Sequence, residues 1–150
     1  MSVIPVKILE WSPEFAVHVP KIDREHETWF GIVNRLHESM LAGAGAELLE
    51  TGFAQTMQFA FDHFAHEEAL MARVRYPHLQ AHVRQHDELR RQAGLFAERF
   101  KRGEATMTIE MMLFLAASLK QQIMTADLSL AGYLQQRRRR ASVQPGERSR

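Results

Sequence analysis

The chain has no cysteine among its 150 residues, which excludes disulfides, zinc ribbons, iron–sulfur clusters and thiol nucleophiles together. Any metal it holds is bound through nitrogen and oxygen. No run approaches the roughly 20 apolar residues of a membrane span. The opening MSVIPVKILEW also lacks the basic start and apolar stretch of a secretory signal, so we expect a cytoplasmic protein. Glycine (8) and proline (5) are sparse, and most fall as punctuation: Pro13, Pro20, Gly43, Gly45, Pro77 and Gly103, then Pro145 and Gly146. Sustained two-residue alternation is missing as well, which argues against strands.

What is present is 45% hydrophobic and 25% charged residues, the balance of one soluble domain able to bury a core. Apolar residues recur at steps of three and four through four long segments. This period predicts helices over 21–41, 47–75, 78–101 and 107–135, and short connections make the economical fold an all-α, antiparallel up-down four-helix bundle. The residues before 20 form an extended N-terminal arm, with Trp11 and Phe15 as the apolar anchors that offset its ordering entropy. The bundle domain is expected to cover residues 1–136.

The 19 basic and 18 acidic residues divide as six and one in residues 137–150, and as thirteen and seventeen before them. A body of about −4 is thus followed by a stretch of about +5 with almost nothing to bury, which is expected to be a disordered, solvated tail. Nucleic acid is not an expected partner, and the protein is expected to be a monomer.

Writing out the inward stripe of each helix shows where polar residues interrupt it. His26 falls on the first stripe, Glu67 on the second with His63 four residues before it, and His82 and His86 on the third; Asp127 and Gln122 flank the fourth. A buried carboxylate is costly unless paired or bound to a cation, and no arginine or lysine lies on these stripes. Residues four apart project from one helix face about 6 Å apart along the axis. His63 with Glu67, and His82 with His86, can therefore each direct two ligand atoms at one metal or a close pair, and imidazole with carboxylate suits iron, manganese or zinc. A single inward histidine would read as an ordinary core residue; four histidines and two carboxylates on facing stripes do not. His18, His37, His66 and His78 lie off these lines and are read as solvated or packing residues, and Glu25 and Glu68 as solvent-facing or as supports to the ligands.

Several motifs together resemble the bacterial hemerythrins, over about residues 11–134. They are W-S-P-E-F-A-V, I-D-R-E-H ending at His26, I-V-N-R-L-H, H-F-A-H-E-E-A-L-M from His63 to Met71, Y-P at Tyr76 and Pro77, and H-V-R-Q-H from His82 to His86. The resemblance implies a non-haem di-iron centre. His26 and His63 would hold one iron, His82 and His86 the other, and Glu67 and Asp127 would bridge them. It also implies a third histidine on the second iron, five residues before the bridging aspartate. This chain has Gln122 there, and Ser118 where a tryptophan is expected. Five residues make about 140° of rotation on an α-helix, so periodicity does not place Gln122 and Asp127 on one face.

For function the resemblance implies reversible binding of dioxygen or another small diatomic, in carriage, storage or sensing, with Leu119, Ile123 and Trp29 as candidates for the oxygen pocket. Two alternatives follow from the departure at Gln122. One is a di-iron redox enzyme acting on peroxide or nitric oxide through an extra open coordination position. The other is an interaction protein with a degenerate metal site.

Overall fold

The computed structural model describes residues 7–103 and 109–147. A short 3-10 turn, Pro13–Phe15, precedes α1 (Pro20–Leu41), α2 (Ala46–Arg73), α3 (Leu79–Lys101) and α4 (Ile109–Gln122); a π-helical turn, Ile123–Asp127, joins α4 directly to α5 (Leu128–Glu147). Among the described residues there is no strand, and no helix is long and apolar enough to cross a membrane. With α4, the π turn and α5 forming one continuous rod, the architecture is the expected four-helix bundle.

The ends of the helices follow from local chemistry. Pro20 opens α1 at a position whose missing N–H has no intrahelical partner to lose. Asp23 in its first turn accepts the backbone N–H groups of Val17 (2.8 Å) and His18 (3.1 Å), fastening the arm to the helix. α1 closes with Gly43 at φ 82° and Ala44 N–H donating to Ser39 O at 3.0 Å, a left-handed cap that glycine adopts without strain. α2 closes the same way at Arg75 (φ 55°), where Tyr76 N–H donates to Met71 O and the buried Tyr76 ring anchors the turn.

The arm is held as expected, by Phe15 and Trp11, whose rings pack on each other and on Phe30 at 5.4–5.7 Å. The stripes missed a further clamp. Leu9 is buried, and Asn34 bonds its backbone on both sides, accepting from Leu9 N (3.1 Å) and donating to Leu9 O (2.8 Å). Close backbone approaches join α1 to α2, α2 to α3 and α1 to α4, whereas α3 and α4 stand further apart. The main core fills the space between them with Phe53, Phe64, Met112, Leu119 and Ile123.

The start expected for the fourth helix, at 107, lies outside the described residues. Its end is different from the expectation: the helix does not stop at 135, and the stretch expected to be disordered is helical through Glu147. Two bonds account for the extension past Gln136. Arg137 Nη1 donates to Val74 O (2.6 Å) and Arg138 Nη2 to His18 O (2.8 Å). Arginine is also a good helix former, and extending a helix that packing has already nucleated costs little. Residues 148–150 of the expected tail lie outside the described residues.

Candidate metal centre

Seven polar residues meet in the middle of the bundle, all nearly without solvent exposure: His26 (0%), His63 (1%), Glu67 (0%), His82 (3%), His86 (0%), Gln122 (6%) and Asp127 (1%). α1 supplies His26, α2 supplies His63 and Glu67, and α3 supplies His82 and His86. Gln122 ends α4 and Asp127 ends the π turn.

The π turn resolves the five-residue spacing. Leu128 N–H donates to Ile123 O, five residues back, so the helix takes one extra residue in this turn and five residues carry it back toward the same face. Gln122 and Asp127 consequently both meet His82: the Gln122 carboxamide nitrogen lies 3.3 Å from His82 Nε2, and Asp127 Oδ1 lies 3.0 Å from the same atom. An α-helix of ordinary pitch would have turned one of them away.

The histidines fall into two groups, and the carboxylates belong to both. His26, His63, Glu67 and Asp127 each bring one ligand atom within 4.8 Å of the others, and so do Glu67, His82, His86 and Asp127. Each carboxylate divides its oxygens between the groups. Glu67 Oε2 faces His63 Nε2 (3.1 Å) and His26 Nε2 (3.9 Å), while its Oε1 faces His82 Nε2 and His86 Nε2 (3.7 Å). Asp127 Oδ2 faces His26 Nε2 (3.1 Å) and its Oδ1 faces His82.

Protein hydrogen bonds alone leave this cluster unsatisfied. Both Glu67 oxygens, Asp127 Oδ1 and His86 Nε2 are buried without a hydrogen bond of good geometry, and such groups are costly in a dry core. His26 Nε2 and His63 Nε2 stand 3.0 Å apart, where only one of the two nitrogens can present a proton. A cation at each focus would satisfy all of these atoms, and nitrogen with carboxylate oxygen is a donor set that iron accepts. The residues therefore fit a two-metal centre.

The electrostatics point the same way. Burial disfavours a charged His63, but the close approach of Glu25 and Glu67 and the charges of Glu67 and Asp127 outweigh it and raise the imidazole to about 9. His82, also buried, is likewise raised to about 9 by Asp127 and Glu67. Burial and the neighbouring His82 charge push His86 down to about 3. Burial and the Asp127 charge push the Glu67 carboxyl up; at Asp127 the contacts from His26, His82 and Glu67 overcome burial and hold it below the usual carboxylate range. Protons thus occupy, in part, the places where a cation would bind.

Two glutamates support the ligands from behind, a role to which the stripe pattern gave no clear guide. Glu25 Oε2 lies 3.6 Å from His63 Nδ1 and is held by the exposed His66 at 2.8 Å. Glu68 Oε1 lies 3.8 Å from His86 Nδ1, and Arg90 grips both Glu68 oxygens at 2.8 and 3.1 Å. Arg90 also sits over the Phe64 ring (5.3 Å), which stacks on His86 at 4.0 Å and 12°. The signal was present in the H-E-E run, where Glu68 follows Glu67 directly. His37, read as a solvated or packing residue, is buried.

A small apolar cavity of about 40 Å³ adjoins the cluster, lined by Trp29, Phe64, Leu119 and Ser118 among others. Of the three pocket candidates, Trp29 and Leu119 line it; Ile123 is fully buried in the same core without lining it.

Comparison with known proteins agrees with this geometry. The sequence pattern described as the hemerythrin HHE cation binding domain matches residues 17–134. The chain is 29% identical over 100 residues to a bacteriohemerythrin of Stenotrophomonas maltophilia, covering 65% of this chain but only 63% of that one. It is 28% identical over 121 residues to a bacteriohemerythrin of Methylococcus capsulatus, covering 80% and 92%. A solved wild-type hemerythrin superposes with a TM-score of 0.79 at 26% identity, over 83% of this chain and 95% of that one.

Proposed function

The chain belongs to the hemerythrin HHE cation-binding family, and on that premise we propose that its bundle core binds two iron ions and, with them, dioxygen for carriage, storage or sensing. His26 and His63 would hold one iron and His82 and His86 the other, with Glu67 and Asp127 offering an oxygen to each. The observation that carries this reading is the division of both carboxylates, one oxygen toward each histidine group. A reduced iron pair held there would supply the electrons for reversible dioxygen binding. The protein supplies the rest. Glu25 and Glu68 orient His63 and His86 through their far ring nitrogens, and Trp29, Phe64 and Leu119 keep an apolar space beside the cluster from which water is disfavoured.

Metal analysis of reconstituted protein, followed by an oxygen-minus-reduced difference spectrum, tests the proposal. We expect about two irons per chain, as the two ligand groups require, and a reversible oxygen-dependent band. Absence of bound metal would overturn it and favour the degenerate interaction protein. We also take the protein to act as a cytoplasmic monomer, which cell fractionation and sedimentation check.

A second reading, redox turnover of peroxide or nitric oxide, is favoured by one observation: the Gln122 carboxamide lies 3.3 Å from His82 Nε2, at the position where the resemblance implies a third histidine. An amide oxygen is a weaker donor than imidazole and leaves that coordination position more easily exchanged. Steady-state turnover of peroxide by the iron-loaded protein separates this reading from simple oxygen binding.

A further inference from the structure

Between α3 and α4 the surface opens into a cleft of about 350 Å³, lined by Gln85, Ser118, Gln121, Gln122 and Thr125 among others. Its mouth is exposed at Gln85, Gln121 and Thr125, and its floor is the buried Gln122. The cleft has room because α3 and α4 make few close backbone approaches, and because residue 118 is a serine. A large side chain at 118 would fill the space where the cleft and the apolar cavity share a wall, since Ser118 lines both.

The chemistry of the two spaces is different. Trp29, Ala60, Phe61 and Phe64 line the cavity but not the cleft; Gln85, Gln121, Gln122 and Thr125 line the cleft but not the cavity. Carboxamides and hydroxyls offer donors and acceptors together without net charge. The one acid on the cleft, Glu88, is paired with Arg91 at 2.6 Å. The side chains of Gln85, Ser118 and Gln121 make no hydrogen bond within the described residues, and Gln122 is bonded only through its nitrogen, to His82. Its carboxamide oxygen makes no hydrogen bond within the described residues and is left free to accept one.

We propose that this cleft is a second way into the metal centre, which brings small hydrogen-bonding ligands of the hydrogen peroxide kind to the His82/His86 half, past Gln122. Apolar diatomics use the cavity beside Trp29. The inference rests on the two-iron reading above. It deepens that reading by giving the two halves of one site different ligand classes.

The test uses oxidised, iron-loaded protein of verified metal content, with azide as the probe and stopped-flow absorbance of the iron–azide band as the readout. Gln85→Trp places a large ring across the mouth, and Ser118→Trp fills the wall that the cleft shares with the cavity. Ala93→Leu, which alters a residue lining only the cavity, is the control. Closing the cleft should slow azide association about tenfold or more in either tryptophan variant and change it less than about twofold in Ala93→Leu. Should Ser118→Trp fail to fold, Gln85→Trp on the exposed face of α3 still decides the matter. Azide association unchanged in Gln85→Trp, or slowed only by Ala93→Leu, overturns the cleft while leaving the two-iron reading intact. Loss of the two-iron reading itself is distinguished by the metal content, since protein that binds no iron sinks both.

Discussion

The two histidine groups share both carboxylates yet sit in different surroundings. Around His26 and His63 the walls are aromatic: Trp11 faces the His26 ring at 6.4 Å, and Trp29 and Phe64 face His63 at 5.6 and 6.1 Å. The arm, pinned by Asn34 and Asp23, covers this side. Around His82 and His86, Phe64 and Tyr76 supply part of the wall, but the fourth helix presents Gln122 and, beyond it, the cleft with its carboxamides. Ligand identity is therefore a poor guide to the behaviour of each half. The residues behind the ligands are what differ, aromatic on one side and with carboxamides on the other, and we expect them to govern access and water.

The largest effect should come from erasing what the halves share. Glu67→Gln removes the charge from the oxygens that face both groups, so it should lower metal content from about two per chain to less than one and abolish the rise in Tm that metal confers. Elemental analysis and calorimetry with and without iron would check this. If the variant retained both metals, the halves would not depend on a common bridge.

Removal of metal should expose the protons that stand in its place. In metal-free protein His63 and His82 are raised to about 9 from the 6.5 of an unperturbed imidazole. Their contribution to stability is complete below about pH 6.5 and is lost as pH rises through about 9. Tm of the metal-free protein should therefore fall by more than about 5 °C across that window, while iron affinity rises as the competing protons leave. A flat Tm between these pH values would show that the imidazoles do not hold the protons assigned to them.

Making the halves alike sharpens the comparison further. Gln122→His introduces an imidazole beside His82, and it should tighten the second metal and lengthen the lifetime of the oxygenated state, each by about tenfold. Stopped-flow mixing of reduced protein with oxygen measures the lifetime. Equal lifetimes in the two proteins would mean that position 122 does not tune the centre.

Glu25→Gln and Glu68→Gln probe one support in each half. Either should weaken metal binding, by up to about tenfold. The larger loss is expected for Glu68, which Arg90 fixes at two points, whereas Glu25 is fixed by an exposed histidine. Competition with a chelator resolves the order.

The smallest effect belongs to the C-terminal end of α5. Ending the chain after Gln136 removes two exposed bonds to Val74 and His18 and should cost less than about 2 kcal/mol, with metal content unchanged. Circular dichroism should also register the loss of the helical turns beyond residue 136.

How much of this was legible in the sequence differs from helix to helix. On α2 and α3 the ligands stand four apart, the period of an α-helix, so His63 with Glu67 and His82 with His86 could be placed together from spacing alone. On the fourth helix they could not. Gln122 and Asp127, five residues apart, share a face only because the helix widens to a π turn, and a π turn leaves no mark in hydrophobic periodicity. The arginine run was misjudged for a related reason. Composition reports what a segment can bury, and this one buries little, yet its helix is inherited from the packed turns before it and held by two carbonyls distant in sequence.

By itself the sequence determined that the protein is helical, that it has four long elements, and that nitrogen and oxygen donors interrupt their buried faces, because each of these is a matter of local period and residue chemistry. Tertiary structure decided the rest. The division of Glu67 and Asp127 between two histidine groups, the approach of Glu25 and Glu68 to His63 and His86, and the cleft between α3 and α4 that has Gln122 at its floor all depend on distances between helices. Those distances are set by packing across the whole bundle, which no single segment of the chain encodes.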